Sequence, residues 1–159
     1  MTVQVDIQSA SNEPAPDEED IRHWITAALS GRTGEAPTEL TVRVVDVQEM
    51  TSLNETYRGK TGPTNVLSFP AGLPEELTHP LLGDIVICAP VVRREAAEQG
   101  KNITAHWAHM TIHGVLHLLG YDHIKEKEAI AMEALETDIL ATFNISCPYE
   151  GVARQESIS

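Results

Sequence analysis

Thr104-Ala-His-Trp-Ala-His-Met-Thr-Ile-His-Gly-Val-Leu-His-Leu-Leu119 reads as one helix, apolar nearly all round and broken by Gly120. A helix apolar on every side belongs inside a domain, so the rest of the chain must supply layers that cover it. Its four histidines, His106, His109, His113 and His117, nevertheless share one stripe at 100° per residue. A polar stripe on a buried helix has to meet partners or face a cavity.

The covering layers can be read outward from that helix. Val3, Val5 and Ile7 alternate with polar residues as a first strand, and Leu40, Val42 and Val44 do the same as a second. Between them Ile21, Trp24, Ile25, Ala28 and Leu29 recur at helical spacing and stop near Gly31. Met50, Leu53, Asn54 and Tyr57 share one face of a short helix ending before Gly59. The turn-rich loop from Arg58 to Thr64 leads to a strand, Asn65 to Phe69, closed by Pro70. Asp84 to Cys88 reads as a fourth strand, and Pro90 suits the first turn of a helix running to Gly100. After the histidine helix, residues 125–142 read as an acidic helix with Met132, Leu135, Ile139 and Phe143 inward, and the tail from Asn144 as poorly ordered. The expected fold is α+β, or α/β: one domain over residues 1–150, a small mixed sheet of about four strands with helices packed against it, and a disordered tail over 151–159.

Composition narrows the class. A chain of 159 residues with 42% hydrophobic and 22% charged residues can bury a core without help from a disulfide. The longest apolar run, Ile85 to Val92, is too short to span a bilayer, and the start lacks the basic region of a signal peptide. Cys88 and Cys147 form no pair motif, which fits a reduced, cytoplasmic setting. The net charge is −13, and protonating all seven histidines would still leave −6. Such a chain repels nucleic acid non-specifically, so a nucleic-acid role requires a local cationic site, a metal or a docking partner.

The histidine spacing supplies such a site. His113 and His117 are four apart, so both imidazoles can point at one ion, and Gly120 then turns the chain so that His123 can fold back onto them. Three imidazoles suit one Zn²⁺ per chain, or a related divalent ion such as Ni²⁺, and leave a fourth position open as catalytic zinc requires. For His106 and His109 the default is packing or hydrogen bonding behind the ligands, with direct ligation the sharper alternative. The spacing is similar to that of the metzincin proteases, which carry a water-activating glutamate after the first histidine. Here that position is Gly114, so the metal pattern is present and the protease base is not.

The segment from His113 to His123 closely resembles the signature of the YbeY family of bacterial endoribonucleases, also called rRNA maturation factors. Leu53 to Arg58, Pro63 to Pro70 and Leu82 to Cys88 resemble the family's other blocks in the same order, so the likeness runs from about Leu40 to Tyr149. One departure is Asn65, where some members carry Asp. The resemblance implies a single-domain metalloprotein that cleaves single-stranded RNA in the bacterial cytoplasm. It implies a role in maturing the 3′ end of small-subunit ribosomal RNA and in ribosome quality control. The implied partners are ribosomal RNA, the small subunit and its associated proteins, with no membrane and no DNA. By position it assigns metal binding to His113, His117 and His123, and a functional role to Arg58.

The remaining residues read as follows. Arg58 and Lys60 cluster in a glycine-rich loop without acids between them, and the planar fork of Arg58 suits a phosphate. Arg58 and Lys60 are therefore the expected substrate-binding residues, and Arg58 and His113 the expected catalytic ones. A solvated loop charge is the bland alternative for both basic residues. Asp122 either orients a ligand imidazole or caps the following helix. Thr64 and Ser68 read as structural and Cys88 as core. Two rival functions stand beside the nuclease: a non-catalytic ribosome-assembly factor with a structural metal, and a metal-dependent hydrolase of another substrate.

Overall fold

The computed structural model describes residues 3–33, 37–71, 81–121 and 126–146. Strands β1 (Val3–Ala10), β2 (Thr38–Val45), β3 (Val66–Pro70) and β4 (Leu81–Cys88) form one sheet in the order β1-β2-β4-β3. β1 pairs parallel with β2, β2 parallel with β4, and β3 antiparallel with β4. The sheet is mixed, as the four runs predicted. Parallel neighbours need a crossover. Helix α1 (Glu18–Leu29) joins β1 to β2, while α2 (Val47–Arg58) and β3 intervene between β2 and β4. Helices α3 (Ala89–Gln99), α4 (Ile103–Leu118) and α5 (Glu126–Ala141) follow.

Side-chain alternation sorts the two faces of the sheet. Leu40, Val42, Val44, Val66, Ile85 and Ile87 point into the main core with Ile21, Ile25 and Leu29 of α1 and Trp107, Ile112, Val115 and Leu116 of α4. Val45, Leu67, Val86 and Cys88 point the other way, onto Met50 of α2. Cys88 is wholly buried and burial pushes its thiol pKa up, so it is a core residue as expected. Each large aliphatic side chain buried this way contributes about 1.5–3 kcal/mol.

Helix α4 is the hub. It packs on α1, α3, α5, β3 and β4. Asn102 caps its start by accepting from the Ala105 N–H at 3.1 Å. Its end is a Schellman turn: the Gly120 N–H donates to the His117 carbonyl at 3.0 Å, and the Tyr121 N–H to the Leu116 carbonyl at 3.0 Å. Gly120 takes a φ of 101°, which explains the glycine there. None of the described helices is long and apolar enough to cross a membrane.

One expectation needs correction. The chain at Asn144 is part of the fold: Asn144 adopts φ 63°, the Ile145 N–H donates to the Leu140 carbonyl at 3.1 Å, and Ile145 packs on the main core. Asn ends a helix in the left-handed conformation nearly as glycine does, and a hydrophobic residue after it docks back. The tail over 151–159 lies outside the described residues.

Candidate metal centre

The histidine stripe of α4 faces two carboxylates brought by neighbouring helices. At its start, His106 Nε2 lies 2.9 Å from Glu95 Oε1 of α3, and Asn65 Nδ2 donates to the same carboxylate at 3.1 and 3.3 Å. Burial pushes the Glu95 pKa up, but hydrogen bonds from His106 and Asn65 outweigh it and hold it below the ordinary carboxylate value. In the middle, Glu136 of α5 is wholly buried and takes both neighbours, His109 Nε2 at 3.2 Å and His113 Nδ1 in a short hydrogen bond. Burial alone would raise the Glu136 pKa, yet hydrogen bonds from the two imidazoles hold it far below the ordinary range. Burial pushes His109 the other way, below the ordinary imidazole value, against the pull of Glu136.

At the C-terminal end, His117 Nε2 lies 3.2 Å from His113 Nε2, with ring centroids 4.6 Å apart and planes at 78°. In a tetrahedral site with Zn–N of about 2.0–2.1 Å, two ligand nitrogens stand roughly 3.3–3.4 Å apart. The observed pair matches that spacing. Ligand-type atoms of His109, His113 and Glu136 also lie within 4.8 Å of one another, so this buried His-His-Glu group is itself able to hold a metal ion. Either way the donor set, imidazole and carboxylate, fits a divalent ion.

Of the expected ligands, the structure brings His113 and His117 together. His123 and Asp122 lie outside the described residues, in the stretch between α4 and α5. His106 and His109 are buried and bonded to carboxylates. Arg58 ends α2, followed by Gly59 at φ 66°, and both Arg58 and Lys60 are exposed. The neighbouring Tyr57 ring meets Phe69 of β3 edge to face at 5.3 Å. A Cβ on Gly83 would touch the Phe69 carbonyl and Leu118 Cδ2, so the end of α2 and the last turn of α4 meet the same stretch of β3 and β4. Ser68 Oγ donates to the Gly114 carbonyl at 2.9 Å, a structural role as expected.

Glu136 and Glu95 were not expected. A signal for Glu136 was present: it falls four residues after Met132 and three before Ile139, an acid on the inward stripe of α5.

Residues 4–144 match the sequence profile of the family described as Endoribonuclease YbeY. The chain belongs to that family. A protein of Pseudomonas fluorescens named Endoribonuclease YbeY is 57% identical over 148 residues, covering 92% of this chain and 96% of that one. One of Xanthomonas campestris pv. campestris with the same name is 60% identical over 140 residues, 86% of each chain. The fold is also that of the solution structure of TM1509 from Thermotoga maritima, with a TM-score of 0.58 at 22% identity over 97% of this chain and 100% of that one. Within the YbeY family match lie β2 to β4, all of β1 but Val3, α1 to α5, the buried Glu136 and the half-buried Glu95.

Proposed function

We propose that this chain is a metal-dependent, single-strand-specific endoribonuclease. Its work is ribosomal RNA processing, at the 3′ end of the small-subunit RNA, and ribosome quality control in the cytoplasm. The observation that carries the reading is the facing pair His113 Nε2 and His117 Nε2, 3.2 Å apart, on a chain whose relatives are named Endoribonuclease YbeY. His113, His117 and His123 would hold one Zn²⁺ per chain, the first two from consecutive turns of α4 and the third from beyond the Gly120 turn. The chemistry such an ion supplies is polarisation of the phosphoryl group and activation of water near neutral pH.

This chain's own residues do the rest. Arg58, exposed at the end of α2, offers a fork of donors that binds a phosphate and offsets charge developing on it. Lys60, two residues on, adds a second positive charge. With a net charge of −13 the remaining surface gives RNA little hold, so ribosomal RNA is best presented within the small subunit and its proteins.

The test is cleavage of a single-stranded RNA spanning an rRNA 3′ end, alone and within small-subunit particles, with metal content measured on the same protein. Cleavage that is lost on chelation and restored by Zn²⁺ supports the reading. No cleavage of either substrate by metal-loaded protein would overturn it.

A further inference from the structure

We propose that Glu136 is a positioning residue for the metal centre: it holds His113 by Nδ1 so that Nε2 is turned toward His117. The inference rests on the metal reading above and adds to it the residue, on a different helix, that sets the ligand's ring. Glu136 Oε2 meets His113 Nδ1, and Glu136 Oε1 meets His109 Nε2 at 3.2 Å. An ionised carboxylate only accepts hydrogen bonds, so both ring nitrogens that face it must carry the proton. A neutral imidazole has one N–H. With it on Nδ1, the lone pair of His113 is on Nε2, the atom 3.2 Å from His117 Nε2.

The alternative use of the same atoms is ligation by His109, His113 and Glu136. That arrangement would put the Glu136 carboxylate on the ion itself. The two assignments therefore differ in whether Glu136 meets the ion or holds the His113 ring. His109 has a place in the first: it engages the second oxygen of Glu136 and stops the carboxylate from turning about its long axis. The wall behind the ligands is then a carboxylate pinned at both oxygens, which fixes the plane of the His113 ring.

The experiment uses the full chain, ¹⁵N-labelled at histidine, with Zn²⁺ as the probe. Long-range ¹H–¹⁵N correlation of the zinc-loaded wild type should show His113 protonated at Nδ1 and metal-shifted at Nε2. A metal shift at His113 Nδ1 would overturn the proposal whatever any variant does. In Glu136→Gln the zinc Kd, read by competition with a chelating dye, should rise about 10–100-fold. His109→Phe should raise it far less than His113→Ala; equal loss from the two would favour the ligating trio and reject the positioning role. A folded Glu136→Gln whose Kd stays within about threefold of wild type would also reject it. If the wild type bound no Zn²⁺ at all, the metal reading would fail. The His113 tautomer in that same protein would still judge the Glu136 contact: Nδ1–H keeps it and Nε2–H refutes it.

Discussion

Gly114 and Ile85 leave no room between helix α4 and strand β4 for a side chain. A Cβ on Gly114 would stand 3.0 Å from Ile85 Cγ2 and 3.3 Å from Val66 Cγ2. The position that holds the water-activating glutamate in metzincins here faces the sheet, while His113 beside it faces Glu136 of α5. Gly114→Glu should therefore restore no peptidase activity. It should lose stability by about 3 kcal/mol or more, by overpacking and by burying a carboxylate. Urea unfolding checks this, with Gly114→Ala expected between the two; a Glu variant as stable as wild type would show that α4 can lift off the sheet.

Single alanine substitutions at His113 and His117 should each lower bound zinc sharply, because removing one of three ligands destroys the tetrahedral set. His23, exposed on α1, is the matched control and should change nothing. Elemental analysis after gel filtration decides it, and full occupancy in both ligand variants would dismiss these residues from the site.

Arg58→Glu should reduce cleavage of single-stranded RNA by ~10²-fold or more, since one contact to developing charge is lost and a repulsion added. The side chain is exposed at a helix end, so zinc content and the melting transition should barely move. Undiminished cleavage by the zinc-loaded variant would remove Arg58 from the mechanism.

Acid should act on the other carboxylate. Glu95 is held below its ordinary value of 4.5 by His106 and Asn65. A group with a depressed pKa in the folded state contributes stability that is present above its unfolded pKa and lost as pH falls below it. Glu95→Gln should cost about 1–2 kcal/mol at pH 7, the scale of a charge-assisted hydrogen bond. The difference from wild type should shrink as the pH drops below 4.5. A gap that stays constant down to pH 3 would show that the hydrogen bonds do not favour the ionised form.

Most of the architecture was legible because it is periodic. Val3, Val5 and Ile7, or Leu40, Val42 and Val44, can alternate only as strands with one face on a core, and both runs do so. The pair His113 and His117 was legible for a similar reason, four residues being one helical turn. Strand order was not: nothing local to Val66–Pro70 says that it pairs with β4 at the sheet edge rather than with β2. The carboxylates were missed for a different reason. Glu136 bonds a histidine 23 residues away and Glu95 one 11 residues away, and helix packing, not spacing, makes those contacts. The cap at Asn144 was missed because Asn after a helix serves both as a terminus of order and as a turn within it.

The distance along the chain from His117 to Glu136 also sets an order of events during synthesis. Chains emerge N-terminus first at about 5–20 residues per second, so α4 is complete roughly one to four seconds before Glu136 is added. In that interval the carboxylate that faces His109 and His113 in the finished fold has not yet been made. A ribosome making this protein thus carries a nascent chain whose histidine pair still lacks the buried carboxylate of the finished centre.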